Sequence, residues 1–207
     1  MFVKFKFYTI DNNLNQRKNF NYVNIITICS LIFYQGGSIM KETDKTQQKR
    51  IAVRIRTLNL ERDLPGILKI ERESFKPPLT KEDFIFLLDS NFRCPYHHYP
   101  SGMVAYYEDE LVGFIIYNIH KTYINILIIA VGIRWRHNGI GSQIIEGLIA
   151  KLNKSKKRLK FIKLNVRESD LAAQLFFRHC GFRAISIIPN FFNDTPEDAY
   201  LMVYSPK

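Results

Sequence analysis

Residues 134–142 read RWRHNGIGS. Two arginines, a Gly-x-Gly pair and the opening of an apolar helical pattern stand together. These residue types suit the capture of an anion. The first N–H groups of a helix have no intrahelical acceptor, and the helix dipole places about half a positive charge at that end. Gly139 and Gly141 let backbone and ligand approach closely, and Arg134 and Arg136 add fixed charge. A pyrophosphate fits such a cradle. The segment is not a Walker A loop, because no Gly-Lys-Ser or Gly-Lys-Thr follows. It is not a GxGxxG fingerprint either, because Ile144 stands where the third glycine belongs. A lone Gly-x-Gly also occurs in turns that only pack a helix on a strand.

The elements that must position this turn are legible around it. YINILIIAV (123–131) is a nearly continuous apolar run, which suits a strand covered on both faces. After Gly139, Ile140, Ile144, Ile145, Leu148, Ile149 and Leu152 recur at helical spacing. Upstream, 51–57 alternates as a half-buried strand. A helix follows, with Asp63 as its cap, and Thr80 with Asp83 caps a second helix. RCPYHHYP (93–100) reads as a loop. MVAYYE and LVGFIIYNI form a hairpin, 159–166 a strand, DLAAQLFFRHCGF a helix stopped by Gly181, and RAISII and AYLMVY the last strands. The order β-α-α-β-β-β-α-β-α-β-β predicts one α/β domain with a mixed sheet.

The 207 residues carry a net charge of +11, which favours anionic partners. Cys29, Cys94 and Cys180 form neither a disulfide framework nor a CxxC knuckle, and the five histidines show no HExxH spacing. A reduced, cytoplasmic, metal-free protein is expected. No RRM or KH motif points to specific nucleic-acid binding. Residues 1–39 differ in composition, and the apolar part Val23–Tyr34 falls short of the roughly 20 residues that span a bilayer; no membrane partner is expected. Lys4, Lys6, Arg17 and Lys18 precede that run, so a signal-like segment cleaved near Ser38 is one reading. A mis-set start is the other. The codons for Gln35-Gly36-Gly37 can spell a purine-rich ribosome-binding site just before Met40. The expected division is therefore a non-domain leader at 1–39, a flexible lead-in at 40–50 and the domain at 51–207. Four positive and one negative charge precede residue 40, which leaves +8 for the remainder.

VGIRWRHNGIGSQII resembles the acetyl-CoA signature of the GNAT superfamily of N-acetyltransferases: Gln or Arg, two residues, Gly, one residue, then Gly or Ala, after an apolar strand. Arg136, Gly139 and Gly141 hold the three defining places. LNVRESDLAAQLFFRHCGF (164–182) is similar to the family's second block, an Asn-x-x-Ala helix ending in Gly-Phe. The resemblance spans about 51–204. Within the superfamily, IERESFKPPLTKEDF (70–84) and NFFNDTPEDAYLM (190–202) are similar to segments of the RimI type, which acetylates the N-terminal alanine of a ribosomal protein. The departures are Leu79 for the usual Trp, and Phe191 and Phe192 for a tyrosine pair.

The resemblance implies a mixed, mostly antiparallel sheet whose central strands splay to admit acetyl-CoA as co-substrate, with no metal. Ile129, Ala130 and Val131 would line the pantetheine arm, and Arg136, His137, Asn138, Gly139, Ile140, Gly141 and Ser142 the pyrophosphate. A backbone N–H near Val131 would polarise the thioester carbonyl. Asp170 stands at the second block's Asn, and Phe177 is expected beside the sulfur. Glu71, Phe75, Leu79, Asn190 and Phe191 would flank the acceptor. The family's Glu base falls on Asn165 and its Tyr acid on Phe177, so neither can handle a proton. Glu71, Glu73, Glu197 and Asp198 are candidates for a water-linked base, and Tyr123 for an acid. An α-amine of pKa about 8 is partly neutral at pH 7, and a thiolate leaves without an acid. Acid–base help is worth about 10²–10⁴-fold, so its loss implies a slower, more pH-dependent enzyme. The expected reaction is acetylation of a protein's N-terminal α-amine, with a ribosomal protein as a candidate partner. The rivals are acetylation of a small amine, and coenzyme binding with weak or no turnover.

Overall fold

The computed structural model describes residues 50–88, 99–155 and 158–206. Residues 1–39, for which a leader is expected, Met40, Cys94 and most of the 93–100 loop lie outside the described residues, and Cys29 with them. In chain order the elements are strand β1 (Arg54–Thr57), helices α1 (Leu60–Ser74) and α2 (Lys81–Leu88), and strands β2 (Tyr99–Tyr107), β3 (Glu110–Ile119) and β4 (Tyr123–Val131). A 3-10 turn (Ile133–Trp135), helix α3 (Ile140–Lys154), strand β5 (Phe161–Arg167), helix α4 (Leu171–His179) and strands β6 (Arg183–Ile188) and β7 (Ala199–Tyr204) follow. The strands form one sheet in the order β1-β2-β3-β4-β5-β7-β6. β4 and β5 run parallel, and the other neighbours antiparallel. This is the mixed, mostly antiparallel sheet the sequence implied.

β4 is buried on both faces, as its apolar run requires. Ile124, Ile126 and Ile129 enter the core beneath α3 and α4 with Ile140, Ile144, Ile145, Leu148, Ala173 and Phe177. Ile128 and Ala130 enter a second core beneath α1 and α2, with Ile67, Ile70, Phe75, Leu79 and Phe84. Each fully buried Ile or Phe here contributes about 1.5–3 kcal/mol. The helices therefore sandwich the middle of the sheet and fix β4 between them.

Three boundaries differ from the sequence reading, each for a local reason. β1 begins at Arg54 instead of residue 51 because the preceding backbone is engaged elsewhere. Ile51 N–H donates to Asn138 O (3.2 Å), and the Gln143 carboxamide takes Val53 N–H (3.2 Å) and donates to Ile51 O (2.7 Å). Helix α1 is capped by Asn59, whose side chain accepts from Arg62 N–H, so Asp63 lies inside the first turn. Asp63 is buried and receives Arg56 at 2.6 and 2.8 Å, Arg62 at 3.1 Å and Asn59 N–H at 2.8 Å. Burial opposes its charge, but these donors outweigh burial and hold its carboxyl down to about 2. Strand β2 begins at Tyr99, inside the expected loop. The capping box at α2 forms as read: Thr80 N–H donates to Asp83, and Asp83 N–H to Thr80 Oγ1.

Candidate active site

β4 and β5 pair only from Tyr123–Phe161 to Asn125–Lys163. Beyond that point β5 continues its ladder with β7, while β4 diverges and keeps its ladder with β3 alone. Leu127 supplies the cause. It is an extra residue between the pairs Tyr117–Ile126 and Ile116–Ile128, and a bulge bends and twists the strand that carries it. The fork opens into a cleft of about 240 Å³, with the β4 residues Ile129, Ala130 and Val131 along one wall and the turn 135–142 at its mouth. Ser74 and Phe75 from the end of α1, and Phe176 and His179 from α4, complete it.

The turn is held by its own side chains. Arg136 Nε donates to Val131 O (3.0 Å) and its terminal nitrogen to Ser74 Oγ (2.9 Å), which ties the turn to β4 and to α1. Asn138 Nδ2 donates to the carbonyls of Trp135 (3.3 Å) and Arg136 (3.0 Å). His137 and Gly139 are left-handed, at φ 62° and 74°. Gly139 is the N-cap of α3, so the N–H groups of Ile140, Gly141 and Ser142 emerge without intrahelical acceptors. A Cβ on Gly139 would meet the Arg50 side chain at 3.0 Å, and one on Gly141 would meet the Phe176 ring at 3.1 Å. Space and donors at this point suit an anionic group of a ligand.

Several expected residues are elsewhere. Arg134 is exposed, pairs with Glu110 and lies over the Trp135 ring, so it adds no charge inside the cleft. Phe177 is fully buried between Phe176 (ring centroids 5.1 Å) and Phe182 (5.3 Å). The aromatic that α4 presents to the cleft is Phe176. The reason is helical spacing: Ala173 and Phe177 share the core-facing side, and Phe176 and His179 share the neighbouring one. Asp170 caps α4 through Ala173 N–H (2.9 Å) and does not line the cleft; burial raises its pKa more than that bond lowers it. Tyr123 stacks between His120 and Phe161 at the paired end of the fork. It lies six residues along β4 from Ile129, about 20 Å at 3.3 Å per residue, too far to serve as an acid there.

On the acceptor side, Phe75 lines the cleft, while Leu79 is core. Glu71 is buried and accepts Leu79 N–H (3.0 Å), which fixes the α1–α2 connection. Asn190 donates its N–H to Asp198 (2.9 Å) and Phe191 its N–H to Glu197 O (3.1 Å), both on the β6–β7 connection and outside the cleft lining. Arg167 anchors that connection through Asp194 (2.6 Å), Glu197 (2.9 Å) and the Phe192 ring (3.8 Å). Asn165 lies on β5, and its Oδ1 is buried with no partner among the described residues. Sequence reasoning missed Ser74, Trp135, Phe176 and His179 as lining residues. For Phe176 the amphipathic spacing of α4 carried the signal. Among the described residues no cluster of His, Cys, Asp and Glu could hold a metal, and no helix is long and apolar enough to cross a membrane.

The sequence model of the Acetyltransferase (GNAT) family matches residues 64–182, which include the fork, the turn and α4. The chain is 30% identical over 148 residues to a Bacillus subtilis protein provisionally named [ribosomal protein bS18]-alanine N-acetyltransferase, covering 72% of this chain and 92% of that protein. It is 29% identical over 148 residues to an uncharacterised N-acetyltransferase of Methanocaldococcus jannaschii, covering 69% and 85%. Among solved structures, the ribosomal-protein-S18-alanine N-acetyltransferase of Escherichia coli superposes with TM-score 0.62 at 23% identity, over 74% of this chain and 94% of that one. Arabidopsis thaliana NAA60, in complex with acetyl-CoA, superposes with TM-score 0.62 at 18% identity, over 75% and 100%. The chain belongs to the GNAT acetyltransferase family. Its enzyme class, N-acetyltransferase, follows from that membership.

Proposed function

We propose that the chain transfers an acetyl group from acetyl-CoA to the N-terminal α-amine of a protein in the cytoplasm, with a small-subunit ribosomal protein as the first acceptor to test. The observation that carries this reading is the fork: a β4 edge released from β5 beside the glycine turn that caps α3. The residues present fit the coenzyme. Ile129, Ala130 and Val131 offer strand backbone to an amide-bearing arm, and the turn from His137 to Ser142 offers N–H groups to a diphosphate. Any side chain at Gly141 would crowd that approach against Phe176. Bound acetyl-CoA would supply an acetyl group activated as a thioester. A backbone N–H near Val131 would donate to the acetyl carbonyl oxygen, and Phe75 and Phe176 would keep water from the reacting end.

The acceptor assignment is supported by the printed names of the Bacillus subtilis and Escherichia coli proteins and by the 70–84 and 190–202 segments. A second reading, coenzyme binding with weak turnover, is favoured by Asn165 and Phe177, which carry no transferable proton. Incubating the purified chain with acetyl-CoA and a library of N-terminal peptides, read by mass, tests the proposal. Acetylated peptide N-termini are expected. Acetylation confined to small amines would replace the acceptor assignment, and coenzyme binding with no acetylated product would select the second reading.

A further inference from the structure

Past the last β4–β5 pair, Asn125 with Lys163, the next β5 residue on the same face is Asn165. Ile162, Leu164 and Val166 enter the core under α3 and α4. Alternation therefore turns Lys163, Asn165 and Arg167 to the face that carries α1 and α2. Asn165 thus stands just past the last β4–β5 pair, on the face of α1 and α2 and outside the residues that line the cleft. Among the described residues its buried oxygen has no hydrogen-bond partner, and a buried acceptor left unsatisfied destabilises the fold. Rotation about the last side-chain bond is broad and two-fold, so the carboxamide can turn either end to a ligand.

Most of the charged groups on this face are already engaged. Lys163 Nζ sits 4.6 Å from the centre of the Tyr123 ring. Arg167 is paired with Asp194 and Glu197. Burial opposes the charge of Glu197, but hydrogen bonds from Ser169 and Arg167 prevail and hold its carboxyl down to about 2. Asp198 accepts Asn190 N–H, and Glu71 accepts Leu79 N–H. Glu73 is exposed on α1 and acts on Arg136. A carboxyl held near 2, as that of Glu197 is, is a poor proton acceptor near pH 7, and the histidines of the cleft, His137 and His179, stand on the turn and on α4 and not on this face.

We propose that Asn165 is a positioning residue that selects acceptors by basicity: it hydrogen-bonds the attacking amine but cannot take its proton, so only an amine already neutral in solution is acetylated. This rests on the acetyl-transfer reading above. The ammonium form gives one proton to water. The neutral nitrogen forms the C–N bond as the C–S bond breaks, its surplus proton passes to water, and the sulfur takes one from water to end as a thiol. An α-amine of pKa about 8 and a lysine amine of about 10.4 differ about 250-fold in neutral fraction at pH 7. The greater nucleophilicity of the more basic amine offsets part of this, leaving at least about tenfold in favour of the α-amine.

The test uses the full chain and two peptides, one with a free α-amine and one α-blocked with a single lysine. kcat/KM for each is followed from about pH 6 to about pH 11.5, past the lysine pKa of about 10.4. The parent is expected to give a unit slope that levels at the acceptor's own pKa, so the midpoint moves with the acceptor. Asn165→Glu is expected to add a limb common to both acceptors and to narrow the α-over-lysine preference at least tenfold. Asn165→Leu is expected to keep the parent profile while raising acceptor KM about tenfold, with KM for acetyl-CoA unchanged. A parent midpoint that is the same for both acceptors would overturn the inference, as would an Asn165→Glu profile superimposable on the parent's. Coenzyme binding with neither peptide acetylated is a separate result: it removes the acetyl-transfer reading and this inference with it.

Discussion

Gly139 is the position where the turn depends most on one residue type. Its φ of 74° lies in the left-handed region, and it caps α3. Alanine there costs about 1–2 kcal/mol of backbone strain. The 3.0 Å approach of a Cβ to the Arg50 side chain adds little, because that exposed arm can move aside. If the turn holds its shape, Gly139→Ala lowers Tm by about 2–8 °C, at 2–4 °C per kcal/mol for a domain of this size. If the turn relaxes, the N–H groups of Ile140–Ser142 re-aim and the loss appears in ligand affinity; 1.4 kcal/mol is tenfold in Kd. Calorimetric titration with CoA beside thermal melts separates the two. Gly139→Ala is expected to bind about tenfold more weakly. Gly139→Asn recovers part of that, since Asn tolerates positive φ, and Gly139→Val does worst, since a branched Cβ does not. Parent affinity and parent Tm in the alanine variant would refute the reasoning, as would Asn and Val variants that behave alike.

The two arginines of the turn part company. Arg136→Ala removes the ties to Val131 O and Ser74 Oγ and is expected to raise KM for acetyl-CoA about tenfold or more, whereas Arg134→Ala loses the exposed Glu110 pair and the stacking over Trp135 and leaves KM unchanged in steady-state kinetics. The two phenylalanines of α4 do likewise. Phe177→Ala costs about 3–5 kcal/mol of stability by chemical denaturation, while Phe176→Ala chiefly raises KM for acetyl-CoA. Asp63 sets an acid limit. Its folded pKa of about 2 lies below the ordinary 3.8, so its ionised form stabilises the fold above about pH 4, and that contribution is lost as pH falls from about 4 towards 2. Melts across that window are expected to fall steeply for the parent and less steeply for Asp63→Asn, by on the order of 2 kcal/mol.

The element order, the doubly buried β4 and the cap at Gly139 were readable because hydrophobic period and glycine placement report directly on backbone geometry. The fork was readable only through resemblance, since the bulge at Leu127 that opens it leaves no mark in an unbroken run of aliphatic residues. Side-chain partnership was readable where it is local, as in the Thr80–Asp83 capping box, and not where it is long-range. Nothing in RWRH says that Arg136 turns back to Val131 O while Arg134 leaves for Glu110, because those partners lie in β4 and at the start of β3. Asp63 looked like a cap because it precedes an apolar pattern, yet Asn59 begins the helix and Asp63 gathers Arg56 from β1. Phe176, and not the expected Phe177, faces the cleft for a similar reason: adjacent helical residues diverge by about 100°, and only packing decides which one meets the core.

The central claim is that the strand edge released past Asn125 and the turn at Gly139 receive the coenzyme together. Backbone amide shifts recorded while CoA is titrated test it most directly. Perturbation concentrated at Ile129–Val131 and at 137–142, with the paired residues Tyr123–Asn125 unmoved, is the expected result. Saturable binding that leaves Ile129–Val131 and the Gly139 turn untouched would contradict it.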